Sequence, residues 1–112
     1  MTHTQASPLL LVESDPSSRA ALETILSRRH LVNAFDTGAA AMRFLALGDM
    51  PCLILCVLRD GDDSADFRAA QQNSPEWLSI PTVMFSAQNA ALSSAFVDAL
   101  LALAGRHCEV VQ

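Results

Sequence analysis

Leu9, Leu10, Leu11 and Val12 form a continuous apolar run between Pro8 and the polar Glu13, Ser14 and Asp15. A run this short, with no polar face, suits a strand buried on both sides in a parallel sheet. Asp15 followed by Pro16 predicts a helix start, with the carboxylate as N-cap and proline in the first turn. Leu22, Ile25 and Leu26 continue that helix at the right spacing up to Arg28 and Arg29, whose charges suit a helix C-terminus. His30 to Phe35 reads as a second strand, and Asp36, Thr37 and Gly38 lead into an alanine-rich helix that carries Met42, Phe44, Leu45 and Leu47 and closes at Gly48.

Leu53 to Leu58, launched by Pro51, is the longest purely apolar run and is expected to be the central strand. The charged stretch from Arg59 to Ser64 contains Gly61 and reads as a loop, with its acids solvated. A short helix from Ala65 to Gln72 follows, then a second loop in which Trp77 packs. Pro81 to Ser86 is a fourth strand. A helix from Asn89 to Ala104 then places Leu92, Phe96, Ala99, Leu100 and Leu103 on one face, and Gly105 ends it. Cys108 to Val111 is expected to be a last strand. Strands alternating with helices over short connections give an α/β domain with a parallel sheet and right-handed crossovers.

Composition narrows the chemistry. The 112 residues are 51% apolar, which suits one domain, residues 1–112, with a modest core. All seven basic residues are arginines, and there is neither lysine nor tyrosine. That removes Schiff-base chemistry and every mechanism in which a lysine ammonium clamps a phosphoryl group. A net charge of −5 with scattered arginines argues against nucleic-acid binding through this domain. Of the three cysteines, Cys52 and Cys56 lie about 13 Å apart along an extended strand, too far to bridge, so a reduced cytosolic setting is expected. Met1 to Pro8 has no signal-peptide character and no apolar run approaches the ~18 residues of a membrane span, so the chain reads as cytoplasmic with no membrane contact. His3, His30 and His107 share no metal-ligand spacing, and none of the four glycines forms a phosphate-cradling loop.

In an open parallel sheet, ligands bind beyond the carboxyl ends of the strands. Those ends here are Glu13-Ser14-Asp15, Leu58-Arg59-Asp60 and Ser86-Ala87. In this setting the sequence resembles the receiver (CheY-like) domains of two-component response regulators. Leu10 to Pro16 is similar to the family's opening strand and acidic turn, and Gly38 to Met42 to its second-helix signature. Pro51 to Val57 looks like the strand that ends in the phosphoacceptor, and Ile80 to Ala87 like the fourth strand with its terminal hydroxyl. The resemblance implies a flavodoxin-like three-layer sandwich with a five-stranded parallel sheet in the order 2-1-3-4-5, the fifth helix being absent or truncated.

The resemblance also implies where a receiver's chemistry would sit. The receiver-pocket positions are Glu13, Ser14, Asp15 and Ser86. Glu13 keeps an acidic position, Ser14 stands where a second acid belongs, Asp15 reads as the helix N-cap, and Ser86 keeps the hydroxyl. The phosphoacceptor position falls on Val57, which has no nucleophile, and the lysine position cannot be filled. Magnesium binding and any other cofactor are therefore not expected, with Glu13 the one weak metal candidate and pairing to Arg59 its alternative. Cys56, one residue before Val57, turns to the opposite face and reads as a buried structural cysteine.

The implied function is a non-catalytic, aspartate-less receiver that acts as a phosphorylation-independent interaction module, in the N-terminal part of a longer regulator. Its partner would be a protein: a histidine kinase, an output domain or another signalling protein, with a homodimer also open. Leu92, Phe96, Leu100 and Leu103 are the expected interaction face. Two alternatives stand beside it: phosphorylation at a surrogate acid such as Asp60, and a small-ligand sensor using the vacated pocket.

Overall fold

The computed structural model describes residues 7–48, 50–86 and 93–109. Among the described residues four strands, β1 (Leu9–Val12), β2 (Val32–Phe35), β3 (Leu53–Leu58) and β4 (Thr82–Ser86), form one parallel sheet in the order β2-β1-β3-β4. Five helices among the same residues accompany them: α1 (Pro16–Ser27), α2 (Gly38–Ala46), α3 (Ser64–Gln72), α4 (Pro75–Leu78) and α5 (Ser94–His107).

Alternation along the two central strands builds two cores. Leu9 and Leu11 of β1 with Leu53, Leu55 and Val57 of β3 meet Leu22 and Leu26 of α1 and Leu100 and Ala104 of α5. On the other face, Leu10, Val12, Ile54 and Cys56 meet Ala41 and Leu45 of α2, Phe67 of α3 and Ile80. The result is the expected helix, sheet, helix sandwich. β1 and most of β3 are buried on both faces, which is why they contain no polar position, whereas β2 and β4 at the sheet edges are only half-buried.

Local chemistry sets the helix boundaries. Asp15 accepts from the Ser18 amide at 2.8 Å and Pro16 opens α1, as the sequence predicts. Thr37, Ser74 and Ser93 cap α2, α4 and α5 in the same manner. Gly48, at φ 98°, closes α2 in the left-handed conformation that favours glycine.

Four expectations change. His30 belongs to the turn after α1, its amide bonded to the Leu26 carbonyl, so β2 starts at Val32. Gly105 lies inside α5 and does not end it; the helix runs on to His107 and is capped by Cys108. Cys108 and Glu109 are therefore a helix cap and coil, while Val110 and Val111 of the expected last strand lie outside the described residues, as does Leu92. Finally, Cys108 pairs with Cys52 in a disulfide with Cα atoms 5.3 Å apart, which leaves Cys56 as the free, buried thiol. The pairing depends on where α5 ends, which the spacing of Cys52 and Cys56 does not carry.

The expected interaction face is corrected as well. Leu100 is only 4% exposed and sits in the core, and Phe96 and Leu103 pack against that core. Phe96 meets Phe85 edge-on with ring centroids 5.4 Å apart. The apolar stripe of α5 is spent on the sheet, on the same side as α1.

Candidate functional site

The carboxyl ends of β1 and β3 are neighbours, with Val12 opposite Cys56. The next residue on β1 is Glu13, whose side chain is fully buried. Its partner is Arg59, just past β3: Nε donates to Oε1 at 2.6 Å and Nη2 to Oε2 at 3.0 Å. The Asp15 amide donates to Oε1 at 2.9 Å, Arg19 donates to the Glu13 carbonyl at 3.1 Å, and the Glu13 amide donates to Phe35 at 3.0 Å. Every polar group of Glu13 is thus engaged. The two-pronged contact explains the residue type, since only a guanidinium presents two parallel N–H donors to a carboxylate. That hydrogen-bonded pair holds the Arg59 pKa above its ordinary value.

Two loop acids complete the surroundings. Asp62 accepts from the Ser14 hydroxyl at 2.8 Å and, through its other oxygen, from the Ser64 amide at 3.0 Å and hydroxyl at 2.6 Å. Burial pushes its carboxyl up, but the Ser64 and Ser14 hydrogen bonds and the Arg59 charge outweigh this and leave the pKa lowered. Asp63 does not cap its own helix. Its carboxylate accepts from the amides of Gly38 at 2.6 Å and Ala39 at 2.9 Å, so it caps α2 from across the site. The close approach requires glycine, because a Cβ at Gly38 would lie 2.7 Å from the Phe67 Cβ.

Asp62 and Asp63 are therefore not the solvated loop acids that the sequence suggests. A Ser-Asp-Pro turn and an Asp-Asp-Ser run far apart in sequence carry no signal that they face one another. Asp60, in contrast, is exposed at the tip of the loop. Asp15 serves as an N-cap, and the Ser18 amide holds its carboxyl below the usual range.

Val57 is buried, 1% exposed, in the core that Phe85 and Phe96 cover. It lies opposite Phe85, and Ser86 stands one step further along β4, opposite Leu58. Cys56 faces the other core, and burial together with the charges of Asp62, Asp63 and Glu13 pushes its thiol up to about 12. It is a protonated core residue at neutral pH and a poor nucleophile.

This donor set does not fit a divalent cation. Both Glu13 oxygens are occupied by Arg59 and the Asp15 amide, and Ser14 directs its hydroxyl to Asp62. Among the described residues no group of three or more His, Cys, Asp or Glu side chains is placed to hold a metal ion.

The fold as a whole has counterparts among solved structures. The fold is similar to the signal receiver domain of a signal transduction histidine kinase from Syntrophus aciditrophicus, with a TM-score of 0.66 and 22% identity over 90% of this chain and 94% of that one. The chain has the receiver fold. It is also similar to the N-terminal domain of a response regulator/sensory box/GGDEF three-domain protein from Carboxydothermus hydrogenoformans, at a TM-score of 0.63 and 21% identity over 88% and 94% of the two chains. No protein-family model and no curated protein matches the sequence. The cluster of Glu13, Arg59, Ser14 and Asp62 lies at the carboxyl ends of β1 and β3. No helix among the described residues is long and apolar enough to cross a membrane.

Proposed function

We propose that this chain is a receiver-like module of two-component signalling that works without phosphorylation and without a bound cation, meeting a protein partner such as a histidine kinase or an output domain. The observation that carries the proposal is the Arg59–Glu13 pair. A guanidinium neutralises the buried carboxylate from within the chain, which is the task a divalent cation performs when carboxylates gather to handle a phosphoryl group. Val57 supports the same reading, since an isopropyl side chain offers no oxygen to phosphorylate. The module is non-catalytic, and what it presents to a partner is its folded shape.

The experiment is to incubate the protein with a small acyl-phosphate donor and magnesium, then measure its intact mass and its thermal midpoint. The expected result is no phosphoryl adduct and no midpoint shift with magnesium, because the cation has no site on the native state. A stable adduct would overturn the proposal. If that adduct vanished in Asp60→Asn, the exposed loop acid would be the acceptor and the chain a working receiver.

A further inference from the structure

We propose that Cys52 and Cys108 form a redox-responsive clasp that governs how firmly α5 is held on the α1 face of the sheet. The pair joins the start of β3 to the cap of α5 across 56 residues of sequence, with Cα atoms 5.3 Å apart, inside the 4.4–6.8 Å span over which a bond forms without moving the backbone. The end of α5 has one other described tether: the Nδ1–H of buried His30 donates to the Glu109 carbonyl at 2.9 Å. The helix itself buries only Leu100 and the small Ala104, with Phe96, Leu101 and Leu103 half-buried. Its apolar seat is narrow, so one covalent bond at its end has leverage over its docking.

Accessibility divides the roles of the two sulfurs. Cys52 is half-buried and open to a small reagent, whereas Cys108 is 6% exposed. With a low-molecular-weight disulfide of the glutathione class as oxidant, the Cys52 thiolate attacks one sulfur of the reagent. A mixed disulfide forms and one thiolate leaves. The Cys108 thiolate then attacks the Cys52 sulfur, closes the intramolecular bond and expels the second thiolate. Both cysteine thiols lose their protons, and the reagent disulfide is reduced to two thiols. A low-molecular-weight thiol runs the same steps backwards. Cys56 takes no part, being buried in the opposite core with a thiol that stays protonated.

The test uses the intact chain in glutathione buffers of graded ratio, with thiol alkylation and intact mass to count free thiols and hydrogen exchange to follow the helix. Two of the three thiols are expected to close together. Opening them should speed exchange of the amides from Leu101 to Cys108 at least about tenfold through local opening of the helix end, whereas the amides of β1 and β3 follow only the loss of global stability. The Cys52→Ser/Cys108→Ser double variant should exchange like the reduced protein in every buffer, and Cys56→Ala should behave like the parent. Thiols that stay open in fully oxidised glutathione, or closure that leaves α5 exchange unaltered, would overturn the proposal. Neither readout depends on whether the strand-end site handles phosphate.

Discussion

At the scale of single residues, Arg59 and Glu13 set the character of the site. Removing the guanidinium leaves a carboxylate in a fully buried position with only the Asp15 amide as donor. Arg59→Ala is expected to lower stability by about 2–3 kcal/mol, because an unpaired buried charge costs more than the pair contributes. Urea unfolding checks this. Glu13→Gln should cost less than Arg59→Ala, as an amide at that position keeps an acceptor and strands no buried charge.

Asp15 and Asp62 both titrate below their ordinary value of 3.8. The native state therefore binds fewer protons than the unfolded chain near that pH. The stability they confer is complete above the unfolded value and is lost as pH falls through the lowered native ones. Unfolding midpoints measured between about pH 6 and pH 3 should fall on acidification, and Asp62→Asn should flatten that dependence. Asp15→Asn should flatten it too while keeping the cap, since asparagine caps as well as aspartate does.

At the scale of elements, two glycines of the same residue type have opposite expectations. Gly38 begins α2 against α3, and the 2.7 Å approach that an added Cβ would make to Phe67 predicts that Gly38→Ala destabilises by about 1–3 kcal/mol. Gly105 lies within α5 with open space around it. Gly105→Ala should raise stability by about 0.5–1 kcal/mol, as alanine restricts the unfolded chain and favours the helix. Thermal midpoints of the two variants should move in opposite directions. From sequence Gly105 signals a stop, since glycine after an apolar-periodic stretch usually marks a C-cap. The segment after it is held for one more turn by docking at Cys52 and His30, contacts far away in sequence.

At the scale of the whole molecule, the disulfide is the longest-range constraint. In the chain-entropy picture a loop closed across 56 residues restricts the unfolded state by about 4 kcal/mol, so Cys52→Ser should lower the stability of the oxidised protein by an amount of that order. Adding a reductant to the parent should reproduce the loss, and adding it to the variant should change nothing further. Denaturant midpoints of both proteins with and without reductant measure it.

The first four strands, the cap at Asp15, the stop at Gly48 and the two-sided burial of β1 and β3 were determined by the sequence alone. Each depends on residues within one helical turn or on a period of two, and local chemistry is written in neighbouring positions. The receiver fold was legible through the resemblance of the strand and turn motifs to a known family, and a valine at position 57 carries no nucleophile. What only the tertiary structure decided is who meets whom at long range. It selected Arg59, a partner the sequence already offered, for Glu13, set Asp62 against Ser14 and Asp63 against the start of α2, placed α5 beside α1 with Leu100 inward, and brought Cys108 to Cys52. A carboxylate, a guanidinium or a thiol has several possible partners in the sequence, and the crossovers of the sheet select among them by putting particular strand ends and loops within a few ångströms of each other.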